Sequence, residues 1–391
     1  MDEEIDAMPL KRSTWTEDAG ASRAVALEVL RNGPLSRSEV ARRLALSPGS
    51  LTRLSTPLIR AGLLREVGET SGGRVGRPSQ LIDVVPNAQA FAGLKLRDDR
   101  VMGVITDLRA QVHKSAERPL TSQEPEAVAD SIRDLVDELG AEWKHPTAIG
   151  IGLGGRLAAH RMVRSAAFLG WDDVPLAELV EQRTGLPTIL ENDVVAFTEY
   201  EHWFGAGRGL SRFAVVTLGA GIGYGLVAND AVVADEDHGI GLVGHWPLDP
   251  FGPVCSEGHR GCAKSILTEG AIVTALSGAL GRPVTYEEAM DLGEAGEPAA
   301  RRVLDDAGEG LGRLLAAIAN LTMPECIVLG GEGVRLASVA REAVERGIAK
   351  DRDPRTRKLD LVIRSGSDTE WCRGAAVLAI QSFVLGARMA A

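Results

Sequence analysis

The sequence predicts an α/β protein in two parts, an N-terminal winged helix-turn-helix followed by a large duplicated domain of two α/β lobes. Three observations carry this. Residues 22–62 read as three short capped helices, and a glycine- and arginine-rich loop between two strands follows them. From Phe91 the pattern changes to strands, helices and glycine turns, and a hairpin followed by strand-helix pairs occurs twice. Charge divides along the same line: the 391-residue chain carries −11, whereas residues 19–80 hold ten arginines against four glutamates, +6. Residues 1–18 carry −4, which leaves −13 for residues 81–391. A cationic module joined to an anionic body suits a protein that meets phosphate at one end only.

The first helix runs from Ser22 to about Asn32, with Val25, Leu27 and Leu30 apolar, and stops at Gly33-Pro34. The second opens with the capping box Ser36-Arg-Ser-Glu39 and sets Val40 and Leu44 on its inner face. Ser47-Pro48, an N-cap with proline at the first helical position, starts the third. That helix buries Leu51, Leu54 and Leu58 and ends at Gly62, while Pro57 is expected to bend its last turn. Gly49, Ser50, Thr52, Arg53 and Thr56 face outward. Small residues allow close approach and an arginine can pair bidentately with guanine, so this is the face of a recognition helix. Ser36, Arg37 and Ser47 are expected to join it at the DNA. Strands Leu63–Val67 and Gln80–Val85 flank the loop Gly68–Ser79, whose Arg74 and Arg77 form a wing for phosphate or a narrow minor groove. A plain helical bundle with solvated arginines is the competing reading; spacing, caps, charge sign and wing together favour DNA.

In the large domain, Phe91–Leu96, Val101–Asp107 and Gln111–Glu117 read as a meander, followed by a helix and the strands Ala148–Leu153 and Pro187–Glu191. Phe213–Leu218, Gly223–Val227 and Ala231–Ala234 repeat the theme, with Cys326–Leu329 and Leu359–Ile363 as later strands. Gly219, Gly221 and Gly223 could cradle a phosphate on backbone N–H groups, although a tight hairpin needs the same glycines. Glu191-Asn192-Asp193 marks a strand-to-helix junction, either an ordinary N-cap or a site where Asp193 serves as a carboxylate base. His245, Cys255, Glu257 and Cys262 fall within eighteen residues and could form a tetrahedral zinc site, with His259 a further donor.

Composition is that of a globular protein, 45% hydrophobic and 25% charged. Four cysteines imply no disulfide framework. No apolar run suits a membrane span and the acidic N-terminus does not read as a signal peptide, so a cytoplasmic location is expected. The boundaries expected are an acidic, disordered arm over 1–18, the DNA-binding module over 19–86, and the large domain over 87–391. Within the last, lobe one covers about 87–205 plus a C-terminal helix over about 371–388, and lobe two about 206–370.

These motifs, in their order and spacing, resemble the ROK family of bacterial repressors and sugar kinases. The resemblance is carried by Glu191-Asn192-Asp193 with Trp203-Phe-Gly-Ala-Gly-Arg-Gly209, by Leu218-Gly-Ala-Gly-Ile-Gly223, by Gly244-His245 and Asp249-Pro250, by Cys255 with Gly261-Cys262, and by Leu329-Gly-Gly331. It implies an actin/hexokinase-like fold of duplicated ribonuclease-H-like lobes, and the N-terminal module places the chain in the repressor branch. Kinases of the family open the domain with Asp-x-Gly-x-Thr; here the stretch is Lys95-Leu-Arg-Asp-Asp99, so the phosphate-side aspartate is Lys95. Of the family's sugar-site residues Asn192, Asp193 and His245 are retained, but three further polar positions are Phe168, Leu242 and Lys264, and the zinc motif's third cysteine is Glu257.

The expected function is therefore a DNA-binding repressor of carbohydrate-related genes, with no kinase activity and no ATP binding. Its large domain would serve as sensor and oligomerisation unit, holding one structural zinc. The expected partners are a palindromic double-stranded operator, a second copy or a tetramer of the chain, and either an anionic sugar derivative attracted by Lys264 or no effector. The alternative is a sugar kinase with an appended DNA-binding arm.

Overall fold

The computed structural model describes residues 21–70, 79–235, 237 and 241–385; the acidic arm 1–18 and the wing residues Arg74 and Arg77 lie outside them. The chain forms two compact units, one of residues 1–153, 157–191 and 371–391, the other of residues 154–156 and 192–370.

The first unit begins with α1 (Ala21–Asn32), β1 (Leu35–Ser36), α2 (Arg37–Arg43), α3 (Pro48–Arg60), β2 (Leu64–Thr70) and β3 (Ser79–Val84), the strands ordered β1-β3-β2. Local chemistry sets each boundary. Ser36 Oγ accepts the Glu39 N–H at 3.1 Å and Ser47 Oγ accepts the Ser50 N–H at 3.1 Å, two N-caps that satisfy otherwise orphaned donors. Val25, Val29 and Leu30 of α1 are buried, as are Val40 of α2 and Leu51, Leu54 and Leu58 of α3, each worth about 1.5–3 kcal/mol of gross burial. Leu44 is a half-buried C-cap rather than a core residue. Pro57 costs one intrahelical bond, yet α3 continues to Arg60, where the Ala61 N–H returns to the Pro57 carbonyl.

The rest of this unit comprises β4 (Phe91–Leu96), β5 (Arg100–Thr106), β6 (Val112–Pro119), α4 (Pro125–Glu142), β7 (Ala148–Leu153), β8 (Arg156–Ala158), β9 (Met162–Ala166), β10 (Trp171–Val174), α5 (Leu176–Thr184) and β11 (Thr188–Asn192). The main sheet runs β11-β7-β4-β5-β6, with β4 antiparallel to β5 and parallel to β7. A small β10-β9-β8 sheet was not expected; its strands are three to five residues long and lack an alternating pattern.

The second unit contains α6 (Asp193–Trp203), β12 (Arg212–Leu218), β13 (Ile222–Ala228), β14 (Ala231–Val232), α7 (Ala263–Leu267), α8 (Glu269–Leu280), α9 (Tyr286–Glu294), α10 (Pro298–Thr322), β15 (Ile327–Gly330), α11 (Arg335–Val339), α12 (Arg341–Asp351) and β16 (Leu361–Ile363). Its sheet runs β14-β13-β12-β15-β16, with β12 antiparallel to β13 and parallel to β15. Both sheets thus place an antiparallel meander on one side of a central strand and parallel strands on the other, which is the duplication read from the sequence.

Helix α13 (Asp368–Leu385) starts in the second unit and continues in the first. On β4 the residues Ala92, Leu94 and Leu96 enter one core, together with Ile132 and Leu135 of α4. Alternation turns Gly93 and Lys95 the other way, toward α13. A Cβ on Gly93 would lie 2.0 Å from the Cys372 carbonyl oxygen, and one on Gly150 of β7 would lie 1.9 Å from that of Ala375. Gly150→Ala is therefore expected to cost about 2 kcal/mol or more in chemical denaturation. Gly278→Ala in α8, whose new carbon meets nothing within 4 Å, should be neutral or stabilising.

Candidate functional site

The DNA-facing candidates gather on α3 and the turn before it. Gly49, Thr52 and Arg53 are exposed, and Ser50 and Thr56 half-buried. The space where a Gly49 side chain would stand is open, so a partner can approach the backbone closely. Thr52 Oγ1 donates to the Pro48 carbonyl at 3.0 Å and Thr56 Oγ1 to that of Thr52 at 2.7 Å. Their hydroxyl protons are spent on the helix, which leaves outward lone pairs as acceptors for base amino groups.

Other candidates are engaged within the module. Ser36 and Ser47 cap their helices. Arg37 donates to Ser55 Oγ at 2.9 Å and to Glu66 Oε1 at 2.8 Å, bracketing α2, α3 and β2 rather than standing free at the surface. Arg42 and Arg43 both bond Glu39, and Arg43 also reaches Glu28 at 2.9 Å. These arginines hold the Glu39 carboxyl down at about 2.

In the second unit, residues 245–262 fold into a hairpin of their own. The Leu248 and Asp249 N–H groups donate to the Gly261 carbonyl, and Cys255 N–H to that of His259. Gly261 has φ +58° and a Cβ there would stand 1.5 Å from the Asp249 carbonyl oxygen, so this corner requires glycine. The hairpin draws donors together. His245 Nδ1 is 3.8 Å from the sulfurs of both Cys255 and Cys262, and His259 Nδ1 is 3.6 Å from Cys255 Sγ. Zn–S and Zn–N bonds of about 2.3 and 2.05 Å put tetrahedral S···N edges at about 3.6 Å, so the contacts of Cys255 with the two histidines suit that ion. The mutually close set is His245, Cys255 and His259.

Two expected ligands, Glu257 and Cys262, lie outside that set, though each keeps a contact with one of its members. The Glu257 carboxylate bonds Lys264 Nζ at 2.5 Å and Ser256 Oγ at 2.7 Å, and the lysine pulls it down to about 2. Lys264, expected to attract an anion, thus already faces one.

Asn192 is buried as the N-cap of α6, its Oδ1 accepting the Val194 N–H at 3.0 Å and its Nδ2 donating to the Gly155 carbonyl at 3.4 Å. Asp193 is half-buried beside it, in the first turn of α6, and its Oδ1 accepts the Val194 N–H at 2.9 Å. The glycine turn after β12 uses its own groups: Gly219 N–H donates to the Gly221 carbonyl at 3.1 Å. A Cβ on Gly219 would lie 2.6–2.9 Å from the Glu332 carboxyl group, and one on Gly223 2.3 Å from Thr217 Oγ1. A carboxylate against this turn disfavours phosphate, a feature with no signal in the sequence because Glu332 lies over a hundred residues away. In the first unit, Lys95 Nζ stands 4.7 Å above the centre of the Trp371 ring, a cation–π contact.

This chain belongs to the ROK family, whose pattern matches residues 92–382. It is similar to the DNA-binding transcriptional repressor Mlc of Escherichia coli K12, at 24% identity over 337 residues covering 82% of this chain and 83% of that protein. The xylose repressor of Bacillus spizizenii is 26% identical over 308 residues, 77% of this chain and 79% of that one. A crystal structure of a ROK family transcriptional regulator, a homolog of the Escherichia coli MLC protein, superposes with a TM-score of 0.79 at 23% identity, covering 93% of this chain and 96% of its own. The fold is the α/β, actin/hexokinase-like fold of this family.

One titrating pair adjoins the junction at Asn192. His160 Nδ1 lies 2.9 Å from Glu191 Oε2, a carboxylate only 3% exposed, and the bond to Glu191 raises the histidine's pKa against the opposing pull of burial. A raised histidine stabilises the fold fully below its ordinary value of about 6.5, and that contribution fades as pH climbs through the raised value. Melting temperatures from about pH 5 to about pH 9 should show parent protein losing stability relative to His160→Asn as pH rises; parallel curves would remove the pair as the cause.

Proposed function

We propose that this chain is a DNA-binding transcriptional regulator, a repressor of carbohydrate-related genes, that reads its operator with α3 and uses its ROK domain as sensor and assembly unit. The observation that carries this reading is the exposed N-terminal half of α3, with Gly49, Thr52 and Arg53 outward on a module of net charge +6. The relatives' names, a DNA-binding repressor and a xylose repressor, support it. Two copies would present two modules to a palindromic operator.

Phosphoryl transfer is not part of the proposal. It depends on a magnesium ion and on neutralising phosphate charge. Lys95 replaces the aspartate that family resemblance would put there and is held over Trp371, while Glu332 sets a like charge beside the glycine turn. An anionic sugar derivative would act by taking Lys264 from Glu257, exchanging one carboxylate partner for another anion.

Arg53→Ala is expected to cost about 1–3 kcal/mol and to relax base preference, read by mobility shift on duplexes the parent selects from random DNA. Equal affinity of variant and parent for those duplexes would overturn the assignment.

The proposed metal is one structural zinc held by His245, Cys255, His259 and Cys262, fixing the hairpin that carries His245. Metal analysis of purified variants should show His259→Ala depleted of zinc and Glu257→Ala retaining about one ion per chain. The reverse pattern would restore Glu257 as the ligand.

A further inference from the structure

Arg109 lies in the turn between β5 and β6, outside every motif that carries the family resemblance. Its guanidinium nevertheless enters the DNA-binding module. It donates from Nη1 to the Gly33 carbonyl at 3.1 Å, and from Nη2 to the Val29 carbonyl at 3.4 Å and to Asp83 Oδ1 at 2.5 Å. The two carbonyls lie at the C-terminal end of α1, where the helix dipole is negative; that of Val29 also accepts the Gly33 N–H at 2.8 Å. The carboxylate belongs to β3. One cation therefore ties the first helix and last strand of the module to the sheet behind them. The Arg109 and Asp83 side chains are 24% and 14% exposed, so water competes weakly for this charge-assisted bond. Gly33 makes room for it: a Cβ there would stand 2.5 Å from the Val29 carbonyl oxygen and 3.0 Å from the Asp83 carboxylate.

The turn is itself braced. Asp107 Oδ1 accepts the N–H groups of Arg109 and Gln111 at 2.8 and 3.1 Å, and Arg373 Nε of α13 donates to the Ala110 carbonyl at 3.0 Å. The covalent connection between β3 and β4 is pinned as well. Val85 N–H donates to the Leu63 carbonyl, Leu108 N–H to that of Pro86, and Lys144 Nζ to those of Asn87 and Ala88.

We infer that Arg109 is a positioning residue for DNA recognition, which locks the module onto the first lobe so that α3 is presented at a fixed angle. Module and lobe move as one body, and a signal reaches DNA by moving that body rather than by loosening a tether. Helix α13, which braces the Arg109 turn, is continuous with the unit that bears Asn192, Asp193 and Lys264. The inference rests on the DNA-binding reading above, and its test separates the two.

Full-length parent, Arg109→Ala, Arg109→Lys and Asp83→Asn are compared in two assays. In limited proteolysis without DNA, Arg109→Ala should release the N-terminal module about tenfold faster than parent, with Arg109→Lys between them. On parent-selected duplexes, inserting about five base pairs between half-sites, half a helical turn, should weaken the parent about tenfold or more and Arg109→Ala much less. A variant with lower stability alone would keep the parent's spacing preference. Unchanged cleavage or unchanged spacing preference in Arg109→Ala overturns the inference. Should Arg109→Ala fail to fold by circular dichroism, Asp83→Asn and Arg109→Lys decide both assays. A parent that selects no DNA defeats the positioning role together with the DNA-binding reading, while cleavage still decides whether Arg109 locks the module.

Discussion

Helix α13 approaches the first sheet so closely that no methyl group fits between its backbone and the strands β4 and β7 at Gly93 and Gly150. Much of the first unit is arranged around that contact. It brings Trp371 over Lys95, buries Cys372 beside Met102 and Val104, and sets Arg373 against the turn that carries Arg109. The helix is drawn from the end of the chain, after the whole second unit, so the first sheet is completed only by residues far from its own strands. Such non-local contacts form slowly, because the closure entropy of the long intervening chain has to be met first.

The substitutions that separate this chain from its kinase relatives are not scattered losses. Lys95 lies over an aromatic ring and Lys264 bonds Glu257, so the charges at these positions have found partners. Glu257 and Lys264 are a matched pair. The positions that family resemblance gives to a metal ligand and a sugar contact hold Glu257 and Lys264, whose charges meet at 2.5 Å.

Much of this was legible before any coordinates. The helices of the N-terminal module follow from caps and leucine spacing, and the two sheets from repeated apolar runs separated by glycine turns. The short β8, β9 and β10 strands were not, because Arg156-Leu-Ala and Trp171-Asp-Asp-Val carry no periodicity. Site chemistry was read less well than site location. In Cys255-x-Glu257-x-His259 two donors stand at similar spacing, and the fold sets His259 against Cys255 while Glu257 is shared between Lys264 and Cys255. Arg37 and Arg53 look alike as letters, yet one is spent inside the module and the other is exposed. Arg109 had no signal at all, since its partners Val29, Gly33 and Asp83 lie in a different domain of the sequence.

The Glu28, Glu39, Arg42 and Arg43 cluster has a consequence for how the module meets nucleic acid. Charge held in internal pairs draws few counterions from solution and so exchanges few on contact with a phosphate backbone. With Arg37 also bonded to Glu66, part of the module's basic composition is withheld from non-specific attraction. The less free cationic charge a module offers, the smaller the share of its binding free energy that depends on ionic strength and the larger the share that rests on base sequence.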